Sequence, residues 1–143
     1  MAVIAIIRPF FRSIMIVLRR TCGYKNDLFM KTDWDYSFHD ELVTKFSYDL
    51  VNKRIEIHFA SYFDEIKGEN FQVPCTFVVE NWKLAVSQTG DYKRSFPLDD
   101  NMGIFRRIFD MEFKNGKFEM FVETLDDRLV VLIFDEPTLS LII

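Results

Sequence analysis

Glycine and proline are scarce in this chain, five and four among 143 residues, which excludes collagen-like and linker-rich classes. Cysteine occurs only at Cys22 and Cys75. Two are too few for a disulfide framework, so a reducing compartment such as the cytoplasm is expected. Histidine occurs only at His39 and His58. No Cys-x-x-Cys or His-x-x-x-His spacing accompanies them, so neither a metal nor a cofactor is expected. Gly-x-Gly-x-x-Gly, Walker-type and Gly-x-Ser-x-Gly patterns are missing, which argues against the common nucleotide and hydrolase sites. The apolar start is broken by Arg8, Pro9 and Arg12, too early for the run of about 20 residues that crosses a bilayer.

What is present suffices for one domain with its own core, with 49% hydrophobic and 28% charged residues. Charge divides the chain in two. Residues 1–29 hold five basic side chains against Asp27, a net +4, and residues 30–143 hold the balance, a net −8. The basic apolar start admits a membrane-surface helix, an organelle transit sequence, or an extension outside the domain. Met30-Lys31-Thr32-Asp33 reads as a natural start, so the organisation expected is an extension over 1–29, with a short helix allowed there, and one acidic domain over 30–143. Membrane contact follows only if residues 1–29 belong to the protein.

From residue 38 onward the pattern is β. Phe46 and Tyr48, then Ile55, Ile57 and Phe59, alternate with polar residues at period two. A turn at Val51-Asn52 sets Tyr48 opposite Ile55, Phe46 opposite Ile57 and Asp49 opposite Arg54. A helix through Leu42, Phe46 and Leu50 competes, but the β-branched and aromatic content favours strand. Phe71, Val73, Cys75, Phe77 and Val79 alternate next, and Pro74 marks that strand as an edge or a bulge. Trp82, Leu84 and Val86 continue with parity shifted at Glu80-Asn81, and residues 87–101 read as a long loop.

Asn115-Gly116 supplies the two positive φ values of a type I′ hairpin. That turn places Phe113 opposite Phe118, Met111 opposite Met120 and Phe109 opposite Val122. A two-residue turn at Asp126-Asp127 then places Val131 by Val122, Leu132 by Phe121 and Phe134 by Glu119. The fold expected is all-β: an antiparallel meander of six to eight strands, curled or sandwiched. In this register Phe121, Leu132 and Phe134 share a face with Asp110, Glu112, Glu119 and Glu123. Such a face is either the second side of a sandwich or an interface with aromatic anchors and an acidic rim.

The search for catalytic residues finds none. Cys75 reads as a small core residue, His39-Asp40 as a turn into the first strand, and the pairs Asp99-Asp100 and Asp126-Asp127 as turn chemistry. Nucleic-acid binding is disfavoured, because Lys53-Arg54, Lys93-Arg94 and Arg106-Arg107 are scattered among acids. An acidic surface suits a basic protein instead.

The run Phe38-His39-Asp40-Glu41-Leu42, followed by Phe46-Ser47-Tyr48-Asp49 and Arg54-Ile55-Glu56-Ile57-His58-Phe59, resembles the opening of small bacterial immunity-type proteins of polymorphic toxin and contact-dependent inhibition systems. The resemblance spans roughly residues 38–63 and implies a non-enzymatic, stoichiometric binder of a cognate toxin. The competing expectation is a small-ligand-binding or hydrolytic β-barrel whose interior is lined by some of the 16 phenylalanines.

Overall fold

A computed structural model describes residues 34–39 and 41–143. The readings made for residues 1–29, the start at Met30 and Asp40 lie outside the described residues. Twelve strands form three antiparallel sheets, none closed into a barrel. Among the described residues no barrel closes, which corrects that expectation, and the all-β antiparallel fold, curled or sandwiched, stands. Eight strands have five residues or more, and the other four have two or three.

The four-stranded sheet runs β12 (Thr138–Ile142), β6 (Cys75–Glu80), β3 (Arg54–Phe59), β2 (Lys45–Asp49). The five-stranded sheet runs β8 (Phe96–Pro97), β7 (Leu84–Gln88), β11 (Leu129–Asp135), β10 (Lys117–Thr124), β9 (Phe105–Lys114). A small third sheet joins β1 (Tyr36–Ser37), β4 (Tyr62–Asp64) and β5 (Glu69–Phe71). β12 has no counterpart in the sequence reading.

Alternation dictates the core. Ile55, Ile57, Phe77 and Val79 point inward from the four-stranded sheet, and Phe118, Met120, Val122, Val130, Leu132 and Phe134 from the five-stranded one; all are fully buried. Aromatic rings bridge the layers: Phe77 lies 5.9 Å from Phe118 and Phe46 lies 4.4 Å from Phe105. The third sheet adds Tyr36 and Tyr62 to the aromatic cluster, and Trp34, just before β1, lies 5.2 Å from Phe77. Ring contacts of this kind contribute about 0.5–1.5 kcal/mol each beyond the area they bury.

The β2–β3 hairpin keeps the expected register: Tyr48 faces Ile55, Phe46 faces Ile57 and Asp49 faces Arg54. Its turn is held by the Asn52 backbone and side-chain N–H groups donating to the Asp49 carboxylate at 3.0 and 2.7 Å. Pro74 does not mark an edge. The strand starts one residue after it, at Cys75, and runs between β12 and β3. The missing N–H thus falls in the connection, where no ladder needs it. At Asn81, φ is 57°, and this left-handed residue carries the chain from one sheet to the other. Trp82 stays in the core against Phe134. Leu84 and Val86 turn outward, because Ala85 is the residue opposite inward-facing Phe134.

Asn115 and Gly116 have φ of 54° and 74°, as a type I′ turn requires. Phe113 pairs with Phe118 and Met111 with Met120, as expected. Beyond Asp110 the ladder slips by one residue, so Ile108, not Phe109, stands opposite Val122. The bulge turns Phe109 to the outer face and lets Ile108 fill the core.

The second turn departs from the two-residue reading. Thr124 and Arg128 close the hairpin, the Thr124 N–H donating to the Arg128 carbonyl at 2.9 Å. The loop therefore has three residues, Leu125 to Asp127, with Asp127 left-handed at φ 62°. Three-residue hairpin loops commonly end on such a residue. One extra loop residue moves every side chain of β11 to the other face.

Candidate functional site

The outer face of the five-stranded sheet is built on β10, whose alternation sends Lys117, Glu119, Phe121 and Glu123 away from the core. On one side Glu112 stands opposite Glu119, Asp110 opposite Phe121 and Arg107 opposite Glu123. On the other side Ile133 stands opposite Glu119, Val131 opposite Phe121 and Leu129 opposite Glu123. Five of the seven residues expected on one face are thus brought together: Asp110, Glu112, Glu119, Phe121 and Glu123. Leu132 and Phe134 are not among them. They sit fully buried between the sheets, opposite Met120 and Phe118, because of the extra loop residue.

Phe121 is itself only 2% exposed. Phe109 lies 5.7 Å from it on one side and Tyr92 6.2 Å on another. Tyr92 comes from the loop after β7 and has a positive φ of 58°, which a residue with a large side chain adopts at a cost. The aromatic surface presented to solvent is Phe109, 37% exposed. The bulge hid Phe109 from the alternation rule, and nothing in the Gly90-Asp91-Tyr92 run shows where its tyrosine lands.

The charges on this face make contacts of their own, and the Asp110 carboxylate accepts the Met111 N–H at 2.9 Å. Arg107 Nε donates to Glu123 at 2.9 Å and its guanidinium lies 5.4 Å above the Phe109 ring. Arg106 reaches the same carboxylate at 3.6 Å and Asp127 at 2.8 Å. Glu123 is therefore part of a network that fastens the β10–β11 turn to β9. Asp110, Glu112 and Glu119 lie beside Phe109 and Phe121, on the same face as Arg107, Lys114 and Lys117.

The residues weighed for chemistry lie apart. His58 and Cys75 occupy opposite faces of the four-stranded sheet: His58 Nδ1 is 2.9 Å from the Thr76 hydroxyl, and Cys75 lies inward beside Phe59. The Cys75 thiol donates to the Ser61 carbonyl at 3.8 Å. Burial, reinforced by the nearby Glu41 charge, pushes it up to about 11, the opposite of what activates a thiolate. His39 is exposed. Asp99 and Asp100 belong to a short 3-10 turn, Leu98–Asp100. Asp126 is held below the usual carboxylate range by the Thr124 hydroxyl and by Arg128. Among the described residues no group of three or more His, Cys, Asp or Glu side chains is placed to hold a metal.

A cleft of about 310 Å³ lies where the β9–β10 turn meets the β11–β12 corner, lined by Lys83, Lys117, Asp135 and Glu136. Its charges pair with each other, Lys83 with Glu136 and Lys117 with Asp135. No helix among the described residues is long and apolar enough to cross a membrane. Comparison with protein-family models, with curated proteins and with solved structures gave no match, so the geometry of the outer face is what any functional reading rests on.

Proposed function

We propose that this chain is a non-enzymatic binding protein of the immunity type, which neutralises a basic toxin in the cytoplasm by stoichiometric association through the outer face of the five-stranded sheet. The observation that carries this reading is the placement of half-exposed Phe109 beside Asp110, Glu112 and Glu119 on the outer face of β9 and β10. An aromatic anchor with Arg107 above its ring and acids beside it supplies both parts of such recognition. The acids accelerate the approach of a basic partner, and the ring contributes desolvated contact once it arrives. Leu84, 68% exposed on the same sheet, and half-buried Val86 and Ile133 extend the apolar area.

Purification of the full chain at native expression level tests this. A basic protein is expected to accompany it at one-to-one stoichiometry. The double variant Glu112→Lys, Glu119→Lys should slow association at least tenfold, and salt should slow the wild type more than the variant. Phe109→Ala should raise the dissociation rate. A partner of acidic charge, or association indifferent to both changes, overturns the reading.

A further inference from the structure

The edges of the three sheets are protected unequally. β1, β5 and β8 are two or three residues long, and β8 ends on Pro97. β9 carries Arg106, Arg107, Asp110, Glu112 and Lys114 and two breaks of register. β2 carries Lys45 and Asp49, and just before it the Val43 N–H donates to the Arg106 carbonyl at 2.8 Å, tying that edge to β9. Short length, proline, charge, bulges and cover are the devices by which sheet edges avoid adding a further strand.

β12 (Thr138–Ile142) lacks charge, proline and bulge, and no strand among the described residues pairs with its outer side. A second observation concerns its inward side. Leu139 and Leu141 stand beside Val79 and Phe77, which are fully buried, yet both leucines remain half-buried. The core between the sheets thus ends at this edge with apolar surface still open.

We propose that β12 is a homodimerisation edge, pairing antiparallel with β12 of a second copy about a two-fold axis through Ser140. The strand fits itself. The order Thr-Leu-Ser-Leu-Ile sets Leu139 against Leu141 of the partner subunit and Ser140 against Ser140 of the partner subunit. Thr138 falls against Ile142 of the partner subunit. The four leucines then lie on the core side, and the two four-stranded sheets become one of eight. Antiparallel strand addition across a two-fold axis satisfies the outer backbone groups of both copies at once. No charge within the strand opposes its counterpart, which matters for two copies of an acidic domain. A pairing of five residues from each copy makes this a concentration-dependent association.

Sedimentation equilibrium of the full chain tests it, with the mass expected to rise from monomer to dimer as concentration rises through the micromolar range. Thr138 and Ile142 are exposed and face away from the core. The double variant Thr138→Lys, Ile142→Lys sets like charges opposite each other at both ends of the pairing and should weaken association at least tenfold. The variant Thr138→Lys, Ile142→Glu sets opposite charges in the same places and should restore it. Amide exchange gives a measurement that needs no variant: amides of residues 138–142 should exchange faster on dilution. A chain monomeric at every concentration, equal dimerisation by both variants, or exchange in β12 indifferent to dilution overturns the proposal.

Discussion

Phe121 stands opposite Val131, not opposite Leu132. That single step places Leu132 and Phe134 inside the sandwich and leaves Phe121 on its outer face. Leu132→Ala is therefore expected to cost about 2–5 kcal/mol, the range for emptying a buried aliphatic site. Under the alternative register Leu132 would lie on the acidic face and cost far less. Denaturant unfolding of the variant separates the two.

The Asn115-Gly116 turn makes a conformational demand at Gly116. A Cβ there would meet only the Glu136 Cγ at 3.5 Å, an ordinary contact, but φ is 74°. Gly116→Val should destabilise the protein by about 1–2 kcal/mol through the backbone alone, since L-residues resist the left-handed region. Gly116→Asn should cost less than Gly116→Val, and comparison of their unfolding midpoints checks the cause.

Glu123 receives Arg107 at 2.9 Å and Arg106 at 3.6 Å. Its removal leaves two neighbouring guanidinium groups without their shared carboxylate. Glu123→Ala is expected to cost about 1–3 kcal/mol, as for hydrogen bonds to charged groups. Added salt should narrow the gap to wild type, because it screens the repulsion that remains.

Burial raises the Cys75 thiol from the ordinary 9.0 of an exposed thiol to about 11. Between those values the folded chain holds a proton that the unfolded chain has released, so stability falls as pH rises. The contribution is whole below about pH 9 and lost through about pH 11. Cys75→Ala should show a shallower decline over that window in unfolding measurements. In a Cys22→Ser background, the remaining thiol should react with a thiol reagent at the rate of global or local opening.

What the sequence made legible depended on whether the turns declare their length. Asn115-Gly116 does, because that pair suits the two positive φ values of a two-residue loop, and the register from Phe113 to Met120 follows from it. Asp126-Asp127 does not. Its loop length is set by Thr124, whose hydroxyl accepts the Arg128 N–H at 3.2 Å and whose backbone pairs with Arg128. These bonds between residues four apart have no counterpart in a hydrophobic pattern. The bulge at Phe109 escaped for a related reason, since alternation counts residues and cannot see one left unpaired. The four acidic positions of the candidate face survived both errors: they lie on β9 and β10, whose pairing is anchored by the readable turn.

The pairing of β12 with β6 joins Val78 to Ser140, about sixty residues apart in the chain. The β2–β3 and β9–β10 hairpins close over a few residues and cost little loop entropy, whereas this ladder closes a loop that contains every strand of the five-stranded sheet and costs more. This connectivity favours early local hairpins: substitutions at Phe113 or Phe118 should slow refolding, and those at Leu139 or Leu141 should mainly hasten unfolding. Until the last of these strands docks, β6 exposes an apolar, uncharged flank from Cys75 to Val79. During that interval β6 too is open to capture by another nascent copy.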